Sequence, residues 1–180
     1  IDGHPDIMMC RIGEGKFVVC KDFVPALCGI PGICIIEGKS RLKKEYPYDI
    51  AYNCAVFGNN IICNKKYTDS EILAYCGRED INIIDTKQGY AKCSVCIVSD
   101  NAIITSDKDI YKKSLLNGID ALLTQNDGIL LKGYDCGFFG GTTGLLEKNL
   151  LAVNGDISLH KDADRILDFC KKYGVSVVSL

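Results

Sequence analysis

The chain has 180 residues, of which 47% are hydrophobic and 24% charged, and its formal net charge is −2. This length predicts one domain with a substantial core. The nearly balanced charge argues against a surface for nucleic acid or anionic membrane, which needs a basic field. No apolar run reaches the roughly 20 residues of a membrane span, and no signal-peptide pattern opens the chain.

Cysteine is the unusual feature of the composition, with eleven residues scattered through apolar stretches. A secreted chain of this size rarely leaves an odd thiol and does not need so many disulfides. We therefore expect most of the cysteines to be small buried hydrophobes in a reducing cytoplasm. The first residue, Ile1, is not a methionine, which indicates processing or a start inside a longer product.

Four similar segments follow one another along the chain. They begin at His4, Pro47, Gly89 and Gly133. When the segments are aligned on these openings, Asp6, Asp49, Ala91 and Asp135 take the same place, at a spacing of about 43 residues, and the fourth segment carries about three extra residues around 140–144. The corresponding repeats are predicted at about 3–46, 47–88, 89–132 and 133–180, within one domain of residues 1–180.

Each segment shows the same order of elements. Two runs rich in β-branched and aromatic residues, split by turn residues at 13–15, 58–60 and 99–101, predict a hairpin. A helical pattern follows, and Asp69, Asp107 and Asp162 stand where a side chain can cap its first turn. A short strand is then predicted at 33–36, 81–84, 119–123 and 175–178.

The chain is therefore predicted to be an α/β protein built from four ββαβ repeats. Such repeats cannot each bury a face alone, so they must pack on one another. Short strands and short connections favour radial blades about an axis over a doubly wound sheet. The alternative is a coincidental alternation of helices and strands.

This pattern resembles the pentein, or guanidine-modifying enzyme, fold, a five-bladed β/α propeller. Arginine deiminases, agmatine deiminases, dimethylarginine hydrolases and amidinotransferases share that fold. The strings GHPDI, QGYAKCSVCIV, AIITSD and GYDCGFFGG look like a clostridial-type branch of the superfamily that brings no known reaction with it. Because the family has five blades, the resemblance implies a fifth blade upstream of residue 1 or on a partner fragment.

In a propeller the openings of the first strands converge on one central site. The openings of this chain are polar where a core strand should be apolar. They contribute His4, Asp6, Asp49, Asn53, Lys92, Cys93, Ser94, Asp135 and Cys136. The three aspartates could bind a guanidinium by charge-assisted hydrogen bonds. The alternative is that such an aspartate caps the start of a strand in every blade.

The resemblance also implies a cysteine nucleophile in a GGxxC motif and a histidine. Here Gly144 stands at the place of that cysteine, so Cys136 and Cys93 are the candidates for a displaced nucleophile. Lys92 beside Cys93 would favour its thiolate form. His4 is the candidate acid–base group, whereas His160, just before the last helix, is interpreted as a surface or capping residue.

Two other motifs are rejected as functional sites. Cys93 and Cys96 form a C-x-x-C, but they are predicted to lie in a strand, where residues three apart point to opposite faces, and no second pair completes a zinc site. The stretch 137–144 is rich in glycine, but no P-loop lysine follows. It is interpreted not as a phosphate cradle but as a turn that lets the backbone approach the axis closely, where it could line a ligand site.

The first functional hypothesis is a hydrolase or transferase that acts on a small guanidino compound. Asp6, Asp49, Asn53, Lys92 and Asp135 would bind the substrate, and His4 with a cysteine would carry the reaction. The second is a non-catalytic protein of the same fold that binds a small polar ligand. The third is a structural or oligomerising protein. A small molecule is the expected partner, with no cofactor and no metal, and an oligomer of identical chains stays open.

Overall fold

The computed structural model describes residues 4–126 and 128–180. They form two compact halves, which comprise residues up to 91 and residues from 92 onward. Each half contains two three-stranded sheets. Within the described ranges, no helix combines the length and the apolar character that a bilayer crossing requires.

In the first half, the described residues form three α-helical segments and six strands. The helices are α1 (Pro5–Met8), α2 (Val24–Leu27) and α3 (Ser70–Arg78). The strands are β1 (Met9–Gly13), β2 (Lys16–Val19), β3 (Cys34–Glu37), β4 (Ala55–Phe57), β5 (Asn60–Cys63) and β6 (Asn82–Asp85).

The second half repeats this order after α4 (Ala91–Ser94), which lies at the junction. Its strands are β7 (Val95–Ser99), β8 (Ala102–Thr105), β9 (Asp120–Leu123), β10 (Thr143–Glu147), β11 (Leu150–Val153) and β12 (Ser176–Ser179). Its helices are α5 (Lys108–Leu116) and α6 (Ala163–Lys172), and a 3-10 turn spans Phe139–Thr142.

All four sheets have the same topology. The first two strands form an antiparallel hairpin, and the third strand pairs in parallel with the second. A parallel third strand needs a crossover connection, which the helix supplies in repeats two to four. The predicted ββαβ repeat is therefore confirmed.

The helix of the first repeat is shorter than in the others. A 3-10 turn at Lys21–Phe23 and the four residues of α2 occupy its place. Pro25 lies within the first turn of α2, where proline is tolerated, and Pro31 follows soon after. A proline disfavours helix both at its own position and at the residue before it, so a longer helix cannot form here.

The third strand of each repeat begins one residue later than predicted, at residues 34, 82, 120 and 176. The residue before the strand instead bonds back to the preceding helix or turn. The Ile81 N–H donates to the carbonyl of Cys76 at 2.9 Å, and the Val175 N–H donates to the carbonyl of Cys170 at 3.0 Å. These bonds satisfy carbonyls at the helix end, which have no partner within the helix.

The predicted helix caps are confirmed for Asp69 and Asp107, whose carboxylates accept backbone N–H groups of the first turn. Asp162 is also an N-cap residue, but its side chain does not cap its own helix. Its Oδ2 accepts the N–H of Gln125 at 2.9 Å, in the loop after β9. Asp69 makes the same kind of long-range bond, to Lys39 and Ser40 after β3.

The openings of the repeats are not strands, as the sequence predicted, but short turns that precede the strands. Asp6 lies in α1, and Lys92 and Cys93 lie in α4. Pro5 occupies the first turn of α1, where its fixed φ is compatible with a helix. Cys93 and Cys96 are consequently not on one strand, because only Cys96 belongs to β7.

Each half has its own apolar core. In the first half, Cys10, Ile12 and Val18 of the first sheet pack in one cluster with α3, through Ile72 and Cys76. In the second half, the corresponding cluster joins the sheet of β7–β9 to α6. In both halves the helix of the later repeat thus contributes to covering the sheet of the earlier one, as repeat packing requires.

Candidate functional site

Asp49 is the most unusual of the predicted site residues, because its carboxylate is buried and only half satisfied. Its exposed fraction is 4%. The Tyr90 hydroxyl donates to its Oδ2 at 2.5 Å, whereas its Oδ1 has no hydrogen-bond partner among the described residues. A buried carboxylate oxygen without a partner costs free energy, so this atom is suited to an N–H donor of a ligand.

Asp6 and Asn53 are brought together in the same half. The Asn53 side-chain amide donates to the Asp6 carboxylate at 3.0 Å and to its backbone carbonyl at 3.1 Å. Asn53 is 1% exposed, and Asp6 is half-buried. The amide therefore orients a second carboxylate whose surroundings remain partly open to solvent.

A turn before β4 connects these two carboxylate sites. The Asn53 N–H donates to the Ile50 carbonyl at 3.0 Å, so the chain reverses between Asp49 and Asn53. Gly89 packs against this turn, since a Cβ there would lie 2.7 Å from the side chain of Ile50. The absence of a side chain at Gly89 lets Tyr90 reach Asp49.

In the second half, Lys92, Cys93 and Ser94 lie in the turn before β7. Cys93 and Lys92 are half-buried, whereas Ser94 is 2% exposed and its hydroxyl has no partner in the described ranges. The glycine-rich stretch lies against them: a Cβ on Gly141 would be 3.8 Å from the Cβ of Cys93. The close approach within this stretch is at Gly140 instead, where a Cβ would lie 2.4–2.6 Å from backbone atoms of Val95.

Asp135 lies farther from the first strand of its repeat than the aspartates of the first two repeats do. Asp6 lies three residues before β1 begins at Met9, whereas Asp135 lies eight residues before β10 begins at Thr143. The extra residues fall before the strand and displace Asp135 along the chain. Asp135 and Cys136 are both exposed, so they lack the buried surroundings of Asp49.

The two histidines differ in their surroundings. His4 is exposed and precedes α1. His160 is not a surface residue, since it is only 9% exposed, but its ring does act as a local cap, because it accepts a backbone N–H two residues further on. Its Nδ1 accepts the N–H of Asp162 at 3.0 Å, and its Nε2 lies 3.1 Å from the carbonyl oxygen of Gln125. Both ring nitrogens are used in structure, and no free nitrogen is left for acid–base chemistry.

All eleven cysteines are free thiols, and seven of them are buried, as predicted. Burial raises the pKa of Cys96 to about 12 and that of Cys170 to about 11. A thiol held protonated is a poor nucleophile. The accessible candidates are therefore the half-buried Cys93 and the exposed Cys28, Cys34 and Cys136.

Sequence reasoning missed Tyr90 as a partner of Asp49. A signal was present in the string QGYAKC, where a glycine and an aromatic hydroxyl precede the predicted opening. Their meaning depends on the packing of residues 41 positions apart, which no local pattern shows.

Comparisons with known proteins place these residues in a family and a fold. The family model described as "Family of unknown function (DUF6873)" matches residues 1–180. A comparison with curated protein sequences finds no match.

Among solved structures, the chain is similar to SxtG, an amidinotransferase of the saxitoxin pathway from Microseira wollei, with 12% identity and a TM-score of 0.56. It is also similar to dimethylarginine dimethylaminohydrolase from Pseudomonas aeruginosa, with 8% identity and a TM-score of 0.58. A third likeness is to the inosamine-phosphate amidinotransferase StrB1 from Streptomyces griseus, with 11% identity and a TM-score of 0.50.

These likenesses cover 98%, 98% and 96% of the chain, but the chain spans only 63%, 67% and 60% of the three solved proteins. At such low identity they show the fold, which is the pentein-type α/β fold that the repeats predicted. The radial arrangement of the repeats and the clostridial-type affiliation stay predictions.

Proposed function

The chain belongs to the DUF6873 family of unknown function, and we propose that it binds a small guanidino compound as a cation. The observation that carries this proposal is the Oδ1 atom of Asp49, a buried carboxylate oxygen without a partner in the described chain. A guanidinium offers several N–H donors in one plane, and its bonds to a carboxylate are stronger than bonds between neutral groups.

Asp6 supports the same class of ligand. It adds a second carboxylate, which the Asn53 amide orients. The first half therefore carries two anionic groups, Asp49 at the turn before β4 and Asp6 beside Asn53 of the same turn. The proteins of similar fold are named as an amidinotransferase and a dimethylarginine hydrolase. Both names denote chemistry on a guanidine group, which favours guanidino compounds over simple amines.

Replacement of Asp49 by Asn should weaken the binding of agmatine or arginine by tenfold to a hundredfold. The substitution removes a buried charge-assisted bond worth about 1.5–3 kcal/mol, while the Asn oxygen can still accept the Tyr90 hydroxyl. Isothermal titration calorimetry on the full chain would measure the change. Asp100→Asn is the matched control, because it makes the same charge change at an exposed turn residue.

An unchanged affinity in Asp49→Asn, with a native circular dichroism spectrum, would remove Asp49 from the site. The proposal retains Asp135 and Lys92 as further ligand-binding residues, and Asp135→Asn in the same titration tests the first of them.

Since all eleven cysteines are free thiols, we also propose a reducing compartment such as the cytoplasm.

The catalytic form of the proposal assigns the nucleophile to Cys93, with Cys136 as the second choice and His4 as the acid–base group. The thiolate would add to the guanidinium carbon, and the carbon–nitrogen bond would break as the amine leaves with a proton. Where the leaving amine is ammonia, water would then release a ureido product and restore the thiol; where it is the alkylamine, a second amine would take the amidino group and restore the thiol.

Cys93→Ala should abolish turnover of agmatine or arginine, measured as ureido product and ammonia. Loss of a nucleophile typically lowers the rate by several powers of ten, because no other group replaces the covalent step. Cys28→Ala is the control, since it removes an exposed thiol remote in sequence from the predicted openings. Turnover that persists in Cys93→Ala but ends in Cys136→Ala would move the nucleophile to Cys136.

A non-catalytic binding protein is the second candidate function. The specific observation in its favour is Gly144, which occupies the place of the family's cysteine nucleophile and lies exposed in β10. Binding of agmatine without any turnover, in the wild-type chain, would decide for this candidate.

A further inference from the structure

A cavity lies in the first half, and neither Asp49 nor Asp6 lines it. Its volume is about 290 Å³. The loop after β3 forms one wall with Ser40, Arg41 and Tyr48, and the turn before α3 forms the other with Lys66 and Ser70. This volume is close to the lower limit of known ligand pockets.

Two of the lining side chains are cations that have no acidic partner among the described residues. Arg41 and Lys66 are exposed, and neither makes an ion pair with any residue in the described ranges. Lys39, in contrast, is paired with Glu71 at 3.7 Å. Arg41 and Lys66 therefore give the cavity a positive charge that the protein does not itself neutralise.

The acidic group near the cavity is already engaged. Asp69 is 0% exposed, and its carboxylate accepts three backbone N–H groups, from Lys39, Ser40 and Glu71, at 2.5–2.9 Å. Residues 39–48 and 65–71 together contain six basic and three acidic side chains, in a chain of formal net charge −2. The local excess of positive charge thus runs against the charge of the whole chain.

The other lining groups are hydrogen-bond donors and aromatic rings. Among the described residues, the hydroxyls of Ser40 and Ser70 have no hydrogen-bond partner. Ser70 is the first residue of the nine-residue helix α3. The Lys66 ammonium also lies 5.1 Å from the ring centre of Tyr67, which restricts its position beside the cavity. The Asp69 carboxylate already caps this helix start through the N–H of Glu71, so the positive charge of the site rests on Arg41 and Lys66.

From this arrangement we infer that the cavity binds a small molecule that carries a phosphate group. Arg41 presents a planar fork of donors that matches a tetrahedral oxyanion, and Lys66 supplies a point charge. The cavity is much larger than one phosphate ion, so it has room for a small organic part beside Tyr48. This site is distinct from the proposed guanidine site, because neither Asp49 nor Asp6 lines the cavity.

The test is a calorimetric titration of the full chain with glycerol 3-phosphate at constant ionic strength set by NaCl. We expect saturable binding, which acetate at the same concentration does not reproduce. Arg41→Ala and Lys66→Ala should each weaken binding about tenfold. Lys65→Ala and Lys44→Ala are the matched controls, because both remove an exposed charge nearby that does not line the cavity.

Absence of saturable binding up to 10 mM, a concentration on the order of a weak anion site, would overturn the inference. So would equal losses in Lys65→Ala and Lys66→Ala, since that result indicates a diffuse positive surface. Equal binding of acetate and glycerol 3-phosphate would overturn the assignment to phosphate. Amide shift changes at Ser70 and Ser40 in NMR spectra of the wild type provide a second readout that needs no variant.

Discussion

Replacement of Gly140 by Ala should destabilise the second half by about 3 kcal/mol or more. A Cβ at this position would lie 2.4–2.6 Å from the backbone N, C and O atoms of Val95. Backbone atoms of a β-strand cannot yield as a flexible side chain can, so the turn and β7, an edge strand of its sheet, must move apart. Overpacking of a well-packed core costs about 1–3 kcal/mol, and a clash with backbone lies at the upper end.

Urea unfolding followed by circular dichroism would measure this loss. Gly141→Ala is the control, because a Cβ there meets only Cys93 at an ordinary 3.8 Å and should change stability by less than about 1 kcal/mol. Equal unfolding midpoints for the two variants would mean that the turn at Phe139–Thr142 does not press against β7 in solution. The thiol of Cys93 should then be more accessible than the structure indicates.

Replacement of Asp69 by Ala should lower the free energy of unfolding by about 3–4 kcal/mol. The carboxylate caps α3 through the N–H of Glu71 and also accepts the N–H groups of Lys39 and Ser40 after β3. Loss of a cap costs about 0.5–2 kcal/mol, and each hydrogen bond to a buried charge about 1.5–3 kcal/mol. The effects overlap, so the sum is smaller than the separate values.

Asp156→Ala provides the comparison for this variant. Asp156 is exposed and caps a 3-10 turn through one N–H, that of Ser158. Its replacement should therefore lower the free energy of unfolding by only a small part of the decrease expected for Asp69→Ala. Asp69→Asn should fall between wild type and Asp69→Ala, because one oxygen acceptor remains. Should Asp69→Ala and Asp156→Ala unfold alike, the link between α3 and the loop after β3 would have no role in stability.

Local patterns predicted most of the regular structure. The turn residues at 13–15, 58–60 and 99–101 lie at the observed hairpins, since tight turns depend on the conformations of a few neighbouring residues. The caps at Asp69 and Asp107 were equally local, because the carboxylate and the N–H groups are within three residues. Internal repetition then supplied the ββαβ order and, with it, the fold class.

The openings of the repeats show where local patterns fail. The segments around Asp6 and Cys93 contain residues that suit strands, yet they form short helical turns. Isolated turns of four residues are not stable by themselves, so packing decides between the two conformations. The extra residues of the fourth segment were visible in the sequence, but only the structure shows that they fall before β10 and that Asp135 is exposed.

The sequence by itself determined the class of fold, the positions of hairpins and helix starts, and the buried state of most thiols. These depend on spacing, turn chemistry and hydrophobicity, all of which act over a few residues. Only the tertiary structure decided which polar groups meet. Tyr90 reaches Asp49 across 41 residues, and Arg41 lines a cavity with Lys66. Such partners are set by the packing of distant segments, and the free energy of a buried or charged group depends on them.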